Sequence, residues 1–123
     1  MDKIDFQKRT KYFAINVIRF TKLLPERVIE SDVFKRQIIR SASSTAANYR
    51  ASCRAKSQKD FISKMTIVEE ECDETLFWLE MIEECELVKS DVISSLKSEA
   101  NEILSMVVAS IITSKKRLYG SKS

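Results

Sequence analysis

The chain has 123 residues, of which 44% are apolar and 32% charged, a length and composition that suit one ordered domain with a single hydrophobic core. It contains no histidine, one glycine and one proline, which excludes histidine-based triads, a histidine-containing di-iron site and a glycine-rich phosphate loop. The formal net charge of +3 conceals three blocks: 15 Lys/Arg against 6 Asp/Glu in residues 1–64, 2 against 12 in residues 65–114, and four more cations in residues 115–123.

Apolar residues at helical spacing predict a first helix over about residues 5–24. Its stripe includes Phe6, Phe13 and Val17, which recur on one face. We expect Pro25 to end the helix, because the residue before a proline avoids helical geometry.

A second helix is predicted over about residues 32–54, with Ser31 or Asp32 at its N-cap. Ten of the fifteen residues in 40–54 are Ala, Ser, Thr or Cys, and none is Gly or Pro. Such a helix presents small side chains where Leu or Phe is usual, so its backbone can lie close to a neighbouring helix.

The third helix is predicted over about residues 58–87. Ser57, followed three positions later by Asp60, resembles a capping box in which Asp replaces Glu.

A fourth helix should span about residues 91–118, with Ser90 or Asp91 at its N-cap and Gly120 at its C-terminus. Four amphipathic helices with short links predict an all-α fold, an antiparallel up-down-up-down four-helix bundle that forms one domain over residues 1–123.

Helix 3 is apolar on two sides. Its second face predicts an interface with another copy of the chain, because a helix that is apolar nearly all round is buried on both sides. The alternative is that helix 1 or helix 4 of the same chain wraps further round it. The candidate interface residues are Ile67, Trp78, Ile82 and Cys85.

The basic residues of helix 2, the start of helix 3 and the C-terminus favour phosphate recognition, because guanidinium groups bind phosphate in a bidentate way. The alternative is that acidic residues on helix 3 of a neighbouring chain neutralise this basic surface. The candidate nucleic-acid-binding residues are Arg36, Arg40, Arg50, Arg54, Lys56, Lys59, Lys64, Lys115, Lys116 and Arg117.

No other chemistry is indicated. The acidic cluster at Glu70, Glu71 and Glu74 has oxygen ligands for a cation, but a solvated or ion-paired face is the expected reading. We therefore expect no metal, no cofactor, no small-molecule substrate and no enzymatic activity. The odd count of three cysteines suits reduced thiols packed as small core residues. No signal-peptide or membrane-spanning pattern is present, so we expect a cytoplasmic protein without a membrane partner.

Residues 38–82 resemble a known family. The matching segments are residues 41–45 before "ANYR", then "SQKDFISKM", then "ECDETLFWLEMI". They resemble the bacterial four-helix-bundle proteins named for reading frames inside intervening sequences of 23S ribosomal RNA genes, also called the S23 ribosomal protein family. The resemblance implies assembly into cyclic homopentamers without enzymatic activity. It also implies a fold similar to the basic pentameric accessory proteins of diversity-generating retroelements, which associate with RNA and a reverse transcriptase.

The resemblance further implies an interhelical hydrogen-bonded network between helices 2 and 3 that fixes their register. Where relatives often follow "NYR" with an acidic residue and alanine, this chain has Ala51 and Ser52, which leaves this end of helix 2 more basic. The residues that carry the family's polar signature are Asn48, Tyr49, Arg50, Glu71, Glu74 and Thr75.

The sequence thus predicts a non-enzymatic homo-oligomeric bundle that associates with RNA, another nucleic acid or an RNA–protein complex. The alternative is a structural or protein-interaction oligomer that binds no nucleic acid.

Overall fold

The structure, a computed structural model, describes residues 1–120 apart from the side chain of Ser90. The four helices are α1 (Lys3–Thr21), α2 (Ile29–Ser52), α3 (Gln58–Glu84) and α4 (Ser90–Tyr119). No strand occurs within these 120 residues, and the all-α four-helix bundle is confirmed.

Helix α1 lies slightly further towards the N-terminus than predicted. It begins after Asp2, whose carboxylate accepts a hydrogen bond from the backbone N–H of Asp5 at 2.8 Å. It ends at Thr21, because the next three residues form i→i+3 backbone hydrogen bonds that tighten the chain before Pro25.

Helix α2 begins at Ile29 with Val28 at the N-cap, so the predicted N-caps, Ser31 and Asp32, are wrong. Arg27 has a φ of 65°, and this left-handed residue reverses the chain three residues earlier than expected. Ser31 is instead buried in the first turn of the helix.

The N-terminus of α3 confirms the predicted cap. The Ser57 hydroxyl accepts a hydrogen bond from the backbone N–H of Asp60 at 3.0 Å. The Asp60 carboxylate reaches one residue further back than a capping box requires, to the backbone N–H of Lys56 at 3.0 Å.

The C-terminus of α3 falls at Glu84, three residues before the predicted end. Glu86 adopts a φ of 57°, and its N–H donates to the carbonyl of Glu83 while the N–H of Leu87 donates to that of Ile82. This is a Schellman motif with Glu in the position that usually holds glycine.

Helix α4 has Lys89 at its N-cap, so the prediction of Ser90 or Asp91 there is wrong. The side chain of Ser90 lies outside the described part of the chain. Gly120 ends the helix as predicted, with a φ of 84° and its N–H donating to the carbonyl of Lys116 at 2.8 Å.

Each helix packs against its neighbour in sequence, and α1 also contacts α4. The side chains of Phe13, Ile38, Met65, Leu79 and Ile103 are among the largest that are fully buried in the core between them. None of the described helices has a stretch long and apolar enough to cross a membrane.

The small residues of α2 let it lie close to α3. Ser41, Ala42 and Thr45 are all 0% exposed, and the hydroxyls of Ser41 and Thr75 are hydrogen-bonded across the two helices at 2.8 Å. The helix pair α2–α3 is the most extensively packed in the bundle.

The α1–α4 contact is the smallest, and Arg9 ties it together. Its guanidinium forms two hydrogen bonds with the Glu99 carboxylate, at 2.9 and 2.6 Å, and lies 3.4 Å from Glu102. The hydrogen bonds to Glu99 are the main reason that the pKa of Arg9 is raised. Sequence patterns did not indicate this pair, since the two residues are 90 positions apart.

Candidate nucleic-acid interface

A basic groove runs between α1 and α2. Four cationic side chains line it: Lys8 and Lys11 from α1, and Arg50 and Arg54 from α2 and the residues just after it. The groove has a volume of about 480 Å³, and none of the described residues lining it carries a carboxylate. We call it the α1–α2 groove.

The antiparallel arrangement explains this groove. It places the N-terminal half of α1 beside the C-terminal half of α2, so cations that are far apart in sequence come together. Ala46 and Ala47 also line it and leave it open because their side chains are only methyl groups. Residues 33–59 contain no Asp or Glu, so the part of α2 that lies beside the groove supplies no carboxylate to neutralise it.

Arg50 and Arg54 therefore lie together in this cationic groove, whereas Arg40 lies outside it. Its guanidinium forms ion pairs with Glu71 at 2.9 Å and Glu74 at 2.5 Å. The hydrogen bond to Glu74, followed by that to Glu71, raises the pKa of Arg40. Arg40 is thus ion-paired with α3 of its own chain and lies outside the α1–α2 groove, and its predicted role in nucleic-acid binding stays a prediction.

The division of the patch has a geometric cause. The arginines of α2 occupy an arc of roughly 80° on the helix surface, at 100° per residue. One end of so wide an arc faces α3 and the other faces α1.

The remaining predicted cations fall into three groups. Lys64 is paired with Asp60 at 2.6 Å, and this pair, together with the N–H of Lys56, holds the pKa of Asp60 below its usual value. Lys56 and Arg117 line a second opening, at the end of the bundle. The others are exposed and form no ion pair within residues 1–120: Arg36, Lys59, Lys115 and Lys116.

Lys8 and Lys11 were missed by the sequence analysis. Nothing in their local pattern marks them, since cations on the exposed side of an amphipathic helix are ordinary. The signal was the predicted up-down topology, which already implied that the start of α1 lies beside the end of α2.

The predicted polar network exists on its α3 side. Thr75 is hydrogen-bonded to Ser41 and to the carbonyl of Glu71, and Glu74 accepts from the indole N–H of Trp78 at 3.0 Å. This last bond, followed by Arg40, lowers the pKa of Glu74.

On its α2 side the predicted network is wrong. The Asn48 amide donates to the carbonyl and hydroxyl of Ser44 within the same helix. Tyr49 is buried edge-on against Phe6, with ring centroids 4.7 Å apart, and burial raises its pKa. Arg50 lies in the α1–α2 groove. In their place Arg40 and Ser41 provide the contacts to α3.

The residues predicted to form an oligomer interface are only partly accessible. Ile67 is 39% exposed and Cys85 is exposed, while Trp78 is half-buried against Phe34 and Phe77. Ile82 is 0% exposed in the single chain, so its prediction is wrong: it packs in the core. Phe77, which was not among the predicted interface residues, is 48% exposed on α3.

All three cysteines are free thiols. Cys72 behaves as the expected core residue, because burial raises its pKa to about 12 and its Sγ contacts the carbonyl of Ala100 at 3.5 Å. Cys53 is half-buried, whereas Cys85 is exposed and is not a core residue. Across residues 1–120, no three His, Cys, Asp or Glu side chains are placed to hold a metal ion.

The fold and the groove define an all-α helical bundle with a cationic groove on its surface. A family model described as "23S rRNA-intervening sequence protein" matches residues 2–109, and the chain belongs to this family. The resemblance seen in the sequence is therefore confirmed.

The chain is also similar to a crystal structure of a protein of unknown function from the S23 ribosomal protein family of Bacteroides thetaiotaomicron VPI-5482. The two are 29% identical, with a TM-score of 0.79 over 86% of this chain and 97% of that one. No curated protein matches the sequence.

Proposed function

We propose that this protein is a non-enzymatic, homo-oligomeric bundle of the cytoplasm that associates with RNA or another nucleic acid through the α1–α2 groove. The observation that carries the proposal is the convergence of Lys8, Lys11, Arg50 and Arg54 on one groove whose described lining has no carboxylate. The family's name refers to 23S rRNA intervening sequences and agrees with an RNA partner.

The chemistry of the groove favours the phosphate backbone over the bases. Arg50 and Arg54 offer planar guanidinium forks, while Lys8 and Lys11 offer compact ammonium charges. Binding of this kind is largely independent of nucleotide sequence. Its affinity falls steeply as the salt concentration rises, because the release of counterions from the nucleic acid then contributes less free energy.

Fluorescence anisotropy with a labelled structured RNA, titrated across a range of salt concentrations, tests the proposal. The variant Lys8→Gln/Lys11→Gln should weaken binding and reduce the salt slope by roughly 1.4–1.8, which corresponds to two lost phosphate contacts in single-stranded or duplex parts of the RNA. Its matched control is Arg19→Gln/Lys22→Gln, which removes the same charge from the exposed surface at the other end of α1. Equal effects of the two variants, or no binding at low salt, would contradict the proposal.

Self-association is the second part of the proposal, and the exposed apolar side chains of α3 support it. Ile67 and Phe77 are 39% and 48% exposed on α3, and contact with another copy of the chain would remove this apolar surface from water. Light scattering should give a multiple of the 14.2 kDa chain mass, five-fold for the pentamer that the sequence resemblance implies. Phe77→Ser should reduce that mass, and a stable single chain at micromolar concentration would contradict the assembly.

The alternative function is a structural or protein-interaction oligomer without nucleic acid. One observation favours it: Glu71 and Glu74 already neutralise Arg40 of the basic helix. The variant Arg50→Glu/Arg54→Glu separates the two functions. Lost assembly favours the alternative, whereas intact assembly with lost RNA binding favours the groove.

A further inference from the structure

A second basic opening lies at the end of the bundle where α1 and α3 begin and α2 and α4 end. It has a volume of about 570 Å³ and is lined by three cations, Lys3, Lys56 and Arg117, which come from three separate parts of the chain. None of the described residues lining it is Asp or Glu. We call it the end cleft. Its size is within the range of small-ligand pockets.

Polar groups complete the lining. Ser57 and Gln58 place the N-terminus of α3 in the wall, and the first-turn N–H groups of a helix favour an anion. The two acidic residues adjacent in sequence to lining residues, Asp2 and Asp60, are not part of the lining. The Asp2 carboxylate accepts from the N–H of Asp5, and that of Asp60 is held by Lys64 and by the N–H of Lys56.

Ser114 contributes a further hydroxyl to the lining, from a residue that is only 4% exposed. A hydroxyl can donate a hydrogen bond to a ligand oxygen. A phosphate group combines the negative charge that the three cations attract with acceptor oxygens for Ser114 and for the first N–H groups of α3.

The end cleft is continuous in sequence with the α1–α2 groove. Arg54 lines the groove, while Cys53 and Ala55 on either side of it line the end cleft. Lys3 lies in the same way one residue before Ile4, which lines the groove. A strand that follows the groove towards this end of the bundle therefore arrives at the end cleft.

We propose that the end cleft is a phosphate-binding site that receives the terminal phosphate of the nucleic-acid strand whose backbone lies in the α1–α2 groove. The second half of this inference rests on the proposed function; the binding of a phosphate group by the end cleft does not.

The test compares one RNA in three forms, with a 5′-phosphate, a 3′-phosphate or hydroxyls at both ends. One phosphorylated form should bind about tenfold more tightly than the hydroxyl form, equivalent to one charge-assisted contact. Lys56→Gln should abolish that difference while retaining the remaining affinity. Lys59→Gln is the matched control: it removes the same charge three residues away, from a side chain outside the end cleft, and should preserve the difference. Equal binding of all three forms, with RNA binding intact, would overturn the inference and leave the proposed function standing.

A second arm uses a nucleoside monophosphate alone, followed by backbone amide NMR shifts. Shifts confined to residues of the end cleft, and weakened by Ser114→Ala but not by Ser105→Ala on the exposed side of α4, support a phosphate site even if RNA does not bind. Absence of shifts at millimolar ligand overturns the phosphate site itself. Shifts of equal size in both serine variants overturn the role of Ser114.

Discussion

The hydroxyl pair between Ser41 and Thr75 offers a sharp test of how α2 and α3 are held together. Both residues are 0% exposed and their oxygens are 2.8 Å apart. Each has one further partner within its own helix: Ser41 with the carbonyl of Ile38 at 3.3 Å, and Thr75 with that of Glu71 at 2.9 Å. Removing one hydroxyl therefore leaves the other with an acceptor, but without its interhelical bond.

The expected magnitudes follow from this geometry. Thr75→Val preserves shape and removes one interhelical hydrogen bond, which should lower the free energy of unfolding by about 1–2 kcal/mol. Ser41→Ala should lower it by a similar amount for the same reason. In the double variant both partners are apolar and no hydroxyl is stranded, so the total loss should also be about 1–2 kcal/mol. The coupling energy between the two sites, the sum of the single losses minus the double loss, is then about 1–2 kcal/mol.

Urea unfolding followed by helical circular dichroism measures all four proteins, at one protein concentration because self-association would shift the midpoint. The control is Thr66→Val, which removes an exposed hydroxyl bonded only within α3 and should change stability by less than about 0.5 kcal/mol. If the double variant loses the sum of the two single losses, the hydroxyls act independently and the reasoning is refuted.

Three further predictions concern other contacts. A double-mutant cycle of Arg9→Met and Glu99→Gln, measured by denaturant unfolding, should give a coupling energy of about 1 kcal/mol. The value is small because the two side chains are 22% and 33% exposed, and it should fall further at high salt. Zero coupling would contradict a stabilising Arg9–Glu99 ion pair. Because the pKa of Glu74 is lowered, its stabilising contribution is complete above the unfolded value of about 4.3 and is lost as the pH falls through the lower folded value. An acid titration of Trp78 fluorescence should show this loss in the wild type and not in Glu74→Gln, and superimposable titrations would exclude it. Ala42→Leu should lower the free energy of unfolding by about 2–3 kcal/mol in the same urea assay, because the site is 0% exposed, and a neutral result would mean that the helices are not in close contact there.

Sequence periodicity was sufficient to predict the four helices and most of the core, because burial of an apolar stripe determines both. Helix ends were less predictable. The cap at Ser57 and the glycine at position 120 have strong local signals, and both were correct. The end of α3 was missed because Glu86 occupies a left-handed position that sequence reasoning reserves for glycine or asparagine.

The candidate site was only partly predictable, since a groove is a property of two helices. Arg50 and Arg54 were found from their charge, but the choice between them and Arg40 depends on which neighbour each side chain faces. Ile82 shows the same limit. Its position on the helical wheel suggested an outer face, whereas the packing of α3 between α2 and α4 buries it completely.

Helix stability offers a competing explanation for the basic end of the bundle. Cations near a helix C-terminus are favourable because they compensate the negative end of the helix dipole, and this accounts for Arg50 on α2 and Arg117 on α4. It does not account for Lys3, in the first turn of α1, or for Lys56, just before α3 begins, where the positive end of each helix makes a cation unfavourable. Both line the end cleft. Cations at the unfavourable ends of two separate helices are better explained by an anion that binds between them. Replacing Lys3 and Lys56 by Gln should therefore abolish phosphate binding, while the free energy of unfolding stays unchanged or rises slightly. A marked loss of stability in that double variant would mean that Lys3 and Lys56 serve only to stabilise the fold.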